Sequence, residues 1–130
     1  MPSTIQILRR QAFQRQHGRC FYCSVAMWLI SPHELPGGTP DGAGYARLRC
    51  TAEHLVARSE GGGNSEGNIV AACLHCNGTR HKRKTPPQPM AYRFDVLARV
   101  RRGAWHHAWV HRLGLVALPL PLVSRIQHVT

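Results

Sequence analysis

Two CxxC pairs, Cys20/Cys23 and Cys73/Cys76, limit the folds open to this chain more than any other feature, because residues far apart in sequence must meet if they bind one ion. Four thiolates at this spacing suit a tetrahedral zinc ion. The fifth cysteine, Cys50, leaves an odd number, which argues against an all-disulfide framework. Bridges within each CxxC would also be strained. Cys50 reads as a small, buried strand residue and not as a reactive thiol. The two pairs bracket Thr51-Ala-Glu-His-Leu-Val-Ala-Arg, so a structural metal would frame the adjacent acid and imidazole of Glu53-His54.

At 130 residues the chain fits one domain near the size where a metal staple helps. Its formal net charge is +11, with nine histidines besides, which points to a polyanionic partner. An anionic membrane is disfavoured. The most apolar stretch, Leu113 to Val123, is interrupted by Gly114, Pro119 and Pro121 and is too short to span a bilayer. No basic-then-apolar leader is read either, so the expectation is an intracellular, cytoplasmic protein.

Helical spacing of Ile5, Leu8 and Ala12 after Ser3 or Thr4 predicts a first helix ended by Gly18. Cys20-Phe-Tyr-Cys23 reads as a metal-binding turn whose aromatic residues shield the sulfurs. Ser24 to Ile30 is expected to form a short strand, and Ser31 to Gly44, with Pro36-Gly37-Gly38 and Asp41-Gly42, a loop or hairpin insertion. A strand is predicted over Tyr45 to Val56, then a flexible Gly61-Gly62-Gly63-Asn64 loop. A second strand from Asn68 runs into Cys73, and a basic helix begins at Cys76 and stops before Pro86. Val96, Leu97 and Val100 predict one more helix, with Arg93, Arg99, Arg101 and Arg102 exposed. Trp105 and Trp109 read as packing anchors on one helical face. No metal site is expected from His106, His107 and His111, and His75 is expected to face solvent or phosphate.

Residues 20 to 84 resemble the HNH endonuclease family in their ordered motifs: a first CxxC, a strand ending in Glu53-His54, Gly61-Gly62, Asn68, and Cys73-x-x-Cys76 followed by Asn77 and a basic run. The resemblance implies an α+β fold, a small zinc-stabilised ββα-metal unit. To it the chain adds an N-terminal helix and a C-terminal helical extension, as one domain over 1–130 with its core at about 17–85 and the extension at about 90–130. It further implies that Glu53 and Asn77 hold a catalytic divalent ion, which these oxygen donors suit as Mg²⁺ or Mn²⁺. His54 becomes the general base for a water attacking phosphorus, leaving 5′-phosphate and 3′-hydroxyl ends. Asn68 is the middle motif residue that braces the loop and directs His54. Glu53 stands where the family usually has Asp, and Ala57 where it commonly has Pro.

Arg80, His81, Lys82, Arg83 and Lys84 form a dense cationic run expected to grip phosphates around the scissile bond. The expected partner is DNA, double-stranded, with monomer and homodimer left open. A unit with one active site cuts both strands only as a dimer, by two nicks, or with a partner. Two other readings are a zinc-stabilised nucleic-acid-binding module that does not cut, and a nuclease toxin sharing the same chemistry.

Overall fold

The computed structural model describes residues 1–38, 43–117 and 119–123. Helix α1 (Thr4–Arg15) starts where the sequence offers a capping box: Ser3 Oγ accepts from the Gln6 backbone N–H, and Gln6 Oε1 accepts from Ser3 N–H. It ends in a turn carried by Gly18, at φ +73°. Just past the helix, the Gln16 amide acts as a strand partner. Its Oε1 accepts from Ala71 N–H at 2.9 Å, and its Nε2 donates to Ala71 O at 2.8 Å.

Strands β1 (Cys50–His54) and β2 (Ile69–Cys73) form an antiparallel pair in which Cys50 faces Cys73, and His54 faces Ile69. A short helix α2 (Ala43–Ala46) precedes β1, and 3₁₀ turns occupy Pro32–Glu34 and Arg58–Glu60. Helix α3 (Leu74–His81) follows β2 without a linker, and α1 packs against both strands. Helix α4 (Pro89–Arg101) buries Tyr92, Val96, Leu97 and Val100, and α5 (Ala108–Arg112) buries Val110. The core gathers these with Val25, Leu48, Ala71, Ala72, Leu115 and all five cysteines. This is an α+β unit whose centre is strand, loop, strand, helix. Among the described residues, no helix is long and apolar enough to cross a membrane.

Several sequence expectations are corrected. Ser24 to Ile30 forms no strand; single bridges Arg19–Ala26, Val25–Val116 and Trp28–Arg49 hold it instead, after Ser24 turns at φ +62°. The strand expected from Tyr45 starts only at Cys50, because Tyr45 closes a helical turn and its carbonyl accepts from Leu48 N–H and Trp28 Nε1–H. Helix α3 begins two residues before Cys76, with the Cys73 sulfur as its cap, and stops at His81. Lys82, Arg83 and Lys84 therefore follow the helix instead of lining it. Arg93 is half-buried over the Phe21 ring, not exposed. Trp105 lies outside any helix, so it shares no helical face with Trp109. The Asp41-Gly42 part of the expected insertion lies outside the described residues.

Candidate metal centre and active site

Chain geometry brings the two CxxC pairs together as their spacing required. Cys20, Cys23, Cys73 and Cys76 are at most 2% exposed, and their sulfur atoms all lie within 4.8 Å of one another. None is in a disulfide. Cys23 and Cys73 sulfurs stand 4.0 Å apart, close to the edge of about 3.8 Å expected for a tetrahedron with zinc–sulfur bonds of about 2.3 Å. The donor set therefore fits a closed, structural zinc site. Cys50 stays outside this group, fully buried in β1, and burial pushes its thiol up to about 12.

Beside the quartet, Glu53 is 2% exposed, and its carboxylate is held on both oxygens. Tyr22 donates its hydroxyl to Oε2 at 3.0 Å, and Arg80 Nη1 donates to the same oxygen at 3.0 Å. Oε1 lies 2.9 Å from His81 Nε2. Burial, and then the Glu53 charge, push the Tyr22 phenol well above its ordinary range, so it stays a neutral donor. Arg80 is itself only 5% exposed, and its Nε donates to Pro87 O. Its place in the expected phosphate-gripping run is thus corrected: the guanidinium is an internal partner of Glu53. A buried carboxylate without that partner would be costly.

The contact between Glu53 Oε1 and His81 bears on a divalent ion. Two ligands at adjacent corners of an octahedron, each about 2.1 Å from the ion, sit about 3.0 Å apart. The observed 2.9 Å is an ordinary hydrogen-bond length and is also compatible with that edge. His81 has a side chain 36% exposed, so the pair opens outward on one side. Asn77 lies on the same helix face. Its Nδ2 donates to Thr51 Oγ1 at 3.0 Å and Ala52 O at 3.4 Å, which leaves Oδ1 as the atom available to another ligand.

His54 points away from this carboxylate, as neighbours on a strand do. Its Nε2 lies 2.8 Å from Asn64 Oδ1 and 3.3 Å from Arg58 Nε. The loop that carries those two residues is braced by Asn68, whose Oδ1 accepts from Val56 N–H while Nδ2 donates to Val56 O and Gly63 O. Gly62 makes the tight turn possible, since a Cβ there would meet Val56 O at 1.7 Å. Among the described residues, only the cysteine quartet groups three or more His, Cys, Asp or Glu ligands. Glu53, His54 and His81 do not converge as one such set.

Between the loop after β1 and the chain after α3 runs a cleft of about 410 Å³, lined by Leu55, Val56, Arg80, His81, Arg83 and Lys84 with others. Lys82, Arg83 and Lys84 are exposed. Arg80 and His81, both bonded to Glu53, line the cleft beside the cationic Arg83 and Lys84 and the acidic Glu60. The family model for HNH endonuclease matches residues 42–83. That segment, about a third of the chain, is similar to an HNH endonuclease unit. Neither the curated proteins nor the solved structures yield a match.

The match supports a nuclease-type enzyme in general, and the matched segment excludes Cys20 and Cys23 of the cysteine cluster that could hold a metal. The zinc half-site contributed by those residues thus comes from outside it. Sequence reasoning grouped Arg80 and His81 with the surface cations and read Tyr22 as a shield for the sulfurs, not as a partner of Glu53. The signal was present in part: Asn77, Arg80 and His81 recur at i, i+3 and i+4, which puts them on one helix face. His75 is corrected too. It is half-buried against Trp105 and His106, at ring distances of 4.7 and 5.3 Å, and burial with Arg47 and Lys82 lowers it to about 4.

Proposed function

We propose that the chain is a metal-dependent DNA endonuclease acting as one domain. The observation that carries this reading is the 2.9 Å pairing of the buried Glu53 Oε1 with Nε2 of His81, which lines a cleft together with Arg80, Arg83 and Lys84. Glu53, His81 and the Asn77 amide oxygen would hold the ion, with Tyr22 and Arg80 locking Glu53 so that only Oε1 faces it. A divalent ion bound there supplies positive charge to the scissile phosphate and to the leaving oxygen. A nitrogen ligand moves the preference from Mg²⁺ toward Mn²⁺.

His54 takes the proton from the attacking water. Its ring is directed by the Asn68-braced loop, through Asn64 and Arg58. For Nε2 to accept that proton, its contact with Asn64 must give way, and the arriving phosphate would draw Arg58 toward itself. Lys82, Arg83 and Lys84 grip flanking phosphates without reading bases. Duplex DNA is the substrate class that the +11 charge and these exposed cations serve best.

Supercoiled plasmid incubated with the zinc-loaded protein tests the reading. Conversion to nicked or linear DNA is expected with Mn²⁺ and Mg²⁺ and none with EDTA. Salt-sensitive DNA binding without cleavage under any divalent ion would point instead to a non-cutting module.

A further inference from the structure

Every sulfur of the quartet receives an N–H donor, and the donors come from two different sources. Cys20 Sγ accepts from the backbone N–H of Tyr22 at 3.4 Å and of Cys73 at 3.3 Å, and Cys73 Sγ from Cys76 N–H at 3.4 Å. All three donors are backbone N–H groups: two bonds are local to a knuckle or to the start of α3, and the Cys73-to-Cys20 bond joins the two halves of the quartet. Among the described residues, the nitrogen donors to the remaining two sulfurs are side chains. Trp105 Nε1 lies 3.2 Å from Cys76 Sγ, and His106 Nε2 lies 3.3 Å from Cys23 Sγ.

The chemistry of these contacts is directional. Indole N–H is a donor only, so Cys76 sulfur must accept. A thiolate has no proton to give, so the imidazole of His106 must carry its hydrogen on Nε2. Its Nδ1, buried and without a hydrogen-bond partner among the described residues, is then a bare lone pair and not a stranded N–H. His106 is 7% exposed, which shuts water out as a substitute donor. Trp105 is aimed by a costly backbone turn at φ +77°, by Arg47 Nη2 on its carbonyl at 3.3 Å, and by the His75 ring against its face. Strain at a residue that points a donor into a metal site is the pattern of a functional constraint.

An ion of charge +2 with four thiolates leaves two negative charges in a dry interior, and N–H donors are what stabilise them there. We propose that Trp105 and His106 complete the hydrogen-bond shell of the zinc thiolates Cys76 and Cys23, and so control how firmly the chain keeps its metal. The C-terminal extension, outside the matched HNH segment, is then part of the metal centre. This inference stands apart from whether the protein cuts DNA.

The full chain loaded with Co²⁺ or Zn²⁺ tests it, with Trp105→Phe, His106→Leu and His106→Gln. Loss of an N–H raises electron density on sulfur, so Trp105→Phe and His106→Leu should each move the sulfur-to-cobalt charge-transfer band to lower energy. Zinc transfer to a chelator should become roughly tenfold faster in each. His106→Gln, which can still donate, should return the band toward the parent position. Bands unchanged in both variants would overturn the proposal, and so would faster release with an unshifted band, which is loosened packing alone. Should Trp105→Phe fail to fold, replacement of Trp105 by 3-benzothienylalanine keeps the bicyclic shape and removes only the N–H; the same shift is expected, and its absence is equally decisive.

Discussion

Helix α3 carries both kinds of site, one at each end, and they are built on opposite plans. At its start, Cys73 and Cys76 join a quartet that is sealed from solvent, closed in ligand number and supplied with a donor at every sulfur. Past its middle, Arg80 and His81 meet Glu53 in a network that is buried on one side and opens into a cleft on the other. A closed donor set puts its binding energy into folding, while an open one keeps positions for substrate. The same eight-residue helix thus links the closed site to the proposed reactive one.

That contrast breaks most visibly at the closed end. Cys73→Ser should abolish the fold, since structural zinc supplies about 10–16 kcal/mol in small domains. Loss of helical circular dichroism together with zinc content is the expected result. A folded, zinc-free Cys73→Ser protein would mean that the quartet is not the frame.

The buried ion pair comes next. Arg80→Gln leaves the Glu53 carboxylate without its cation, at a cost of about 3–5 kcal/mol, which urea denaturation would register as a large fall in midpoint. Unchanged stability with weakened DNA binding would return Arg80 to the phosphate-gripping group. A smaller and different effect is expected from neutralising Lys82, Arg83 and Lys84 together. DNA affinity should fall for all sequences, and the salt dependence should flatten by about 0.9 in log–log slope for each phosphate that is no longer neutralised. Stability should barely change, because all three are exposed.

The closed site was legible in the sequence because cysteine spacing alone specifies a tetrahedral ligand set. The strand-loop-strand-helix order was legible too, through Gly61-Gly62 and the apolar run into Cys73. What stayed hidden depends on the register of α3 against β1. Arg80 and Lys82 look alike in a basic run, yet one points inward to Glu53 and the other follows the helix end. Trp105 and His106 were harder still. Their approach to sulfur follows from the turn after α4, where Gly103 and Trp105 both take positive φ, and no local pattern announces that path. Strand length was misjudged for a related reason, since apolar Leu48 is buried from a turn as readily as from a strand.

The proposed chemistry is most exposed to test at His54, which lies on β1 and not on α3. His54→Ala should be prepared beside the parent, with zinc content, melting temperature and Mn²⁺- or Mg²⁺-dependent plasmid cleavage measured on the same samples. Cleavage is predicted to fall at least roughly a hundredfold, as expected when a general base is lost, with zinc content and melting temperature essentially those of the parent. Full cleavage by His54→Ala would contradict the general-base role.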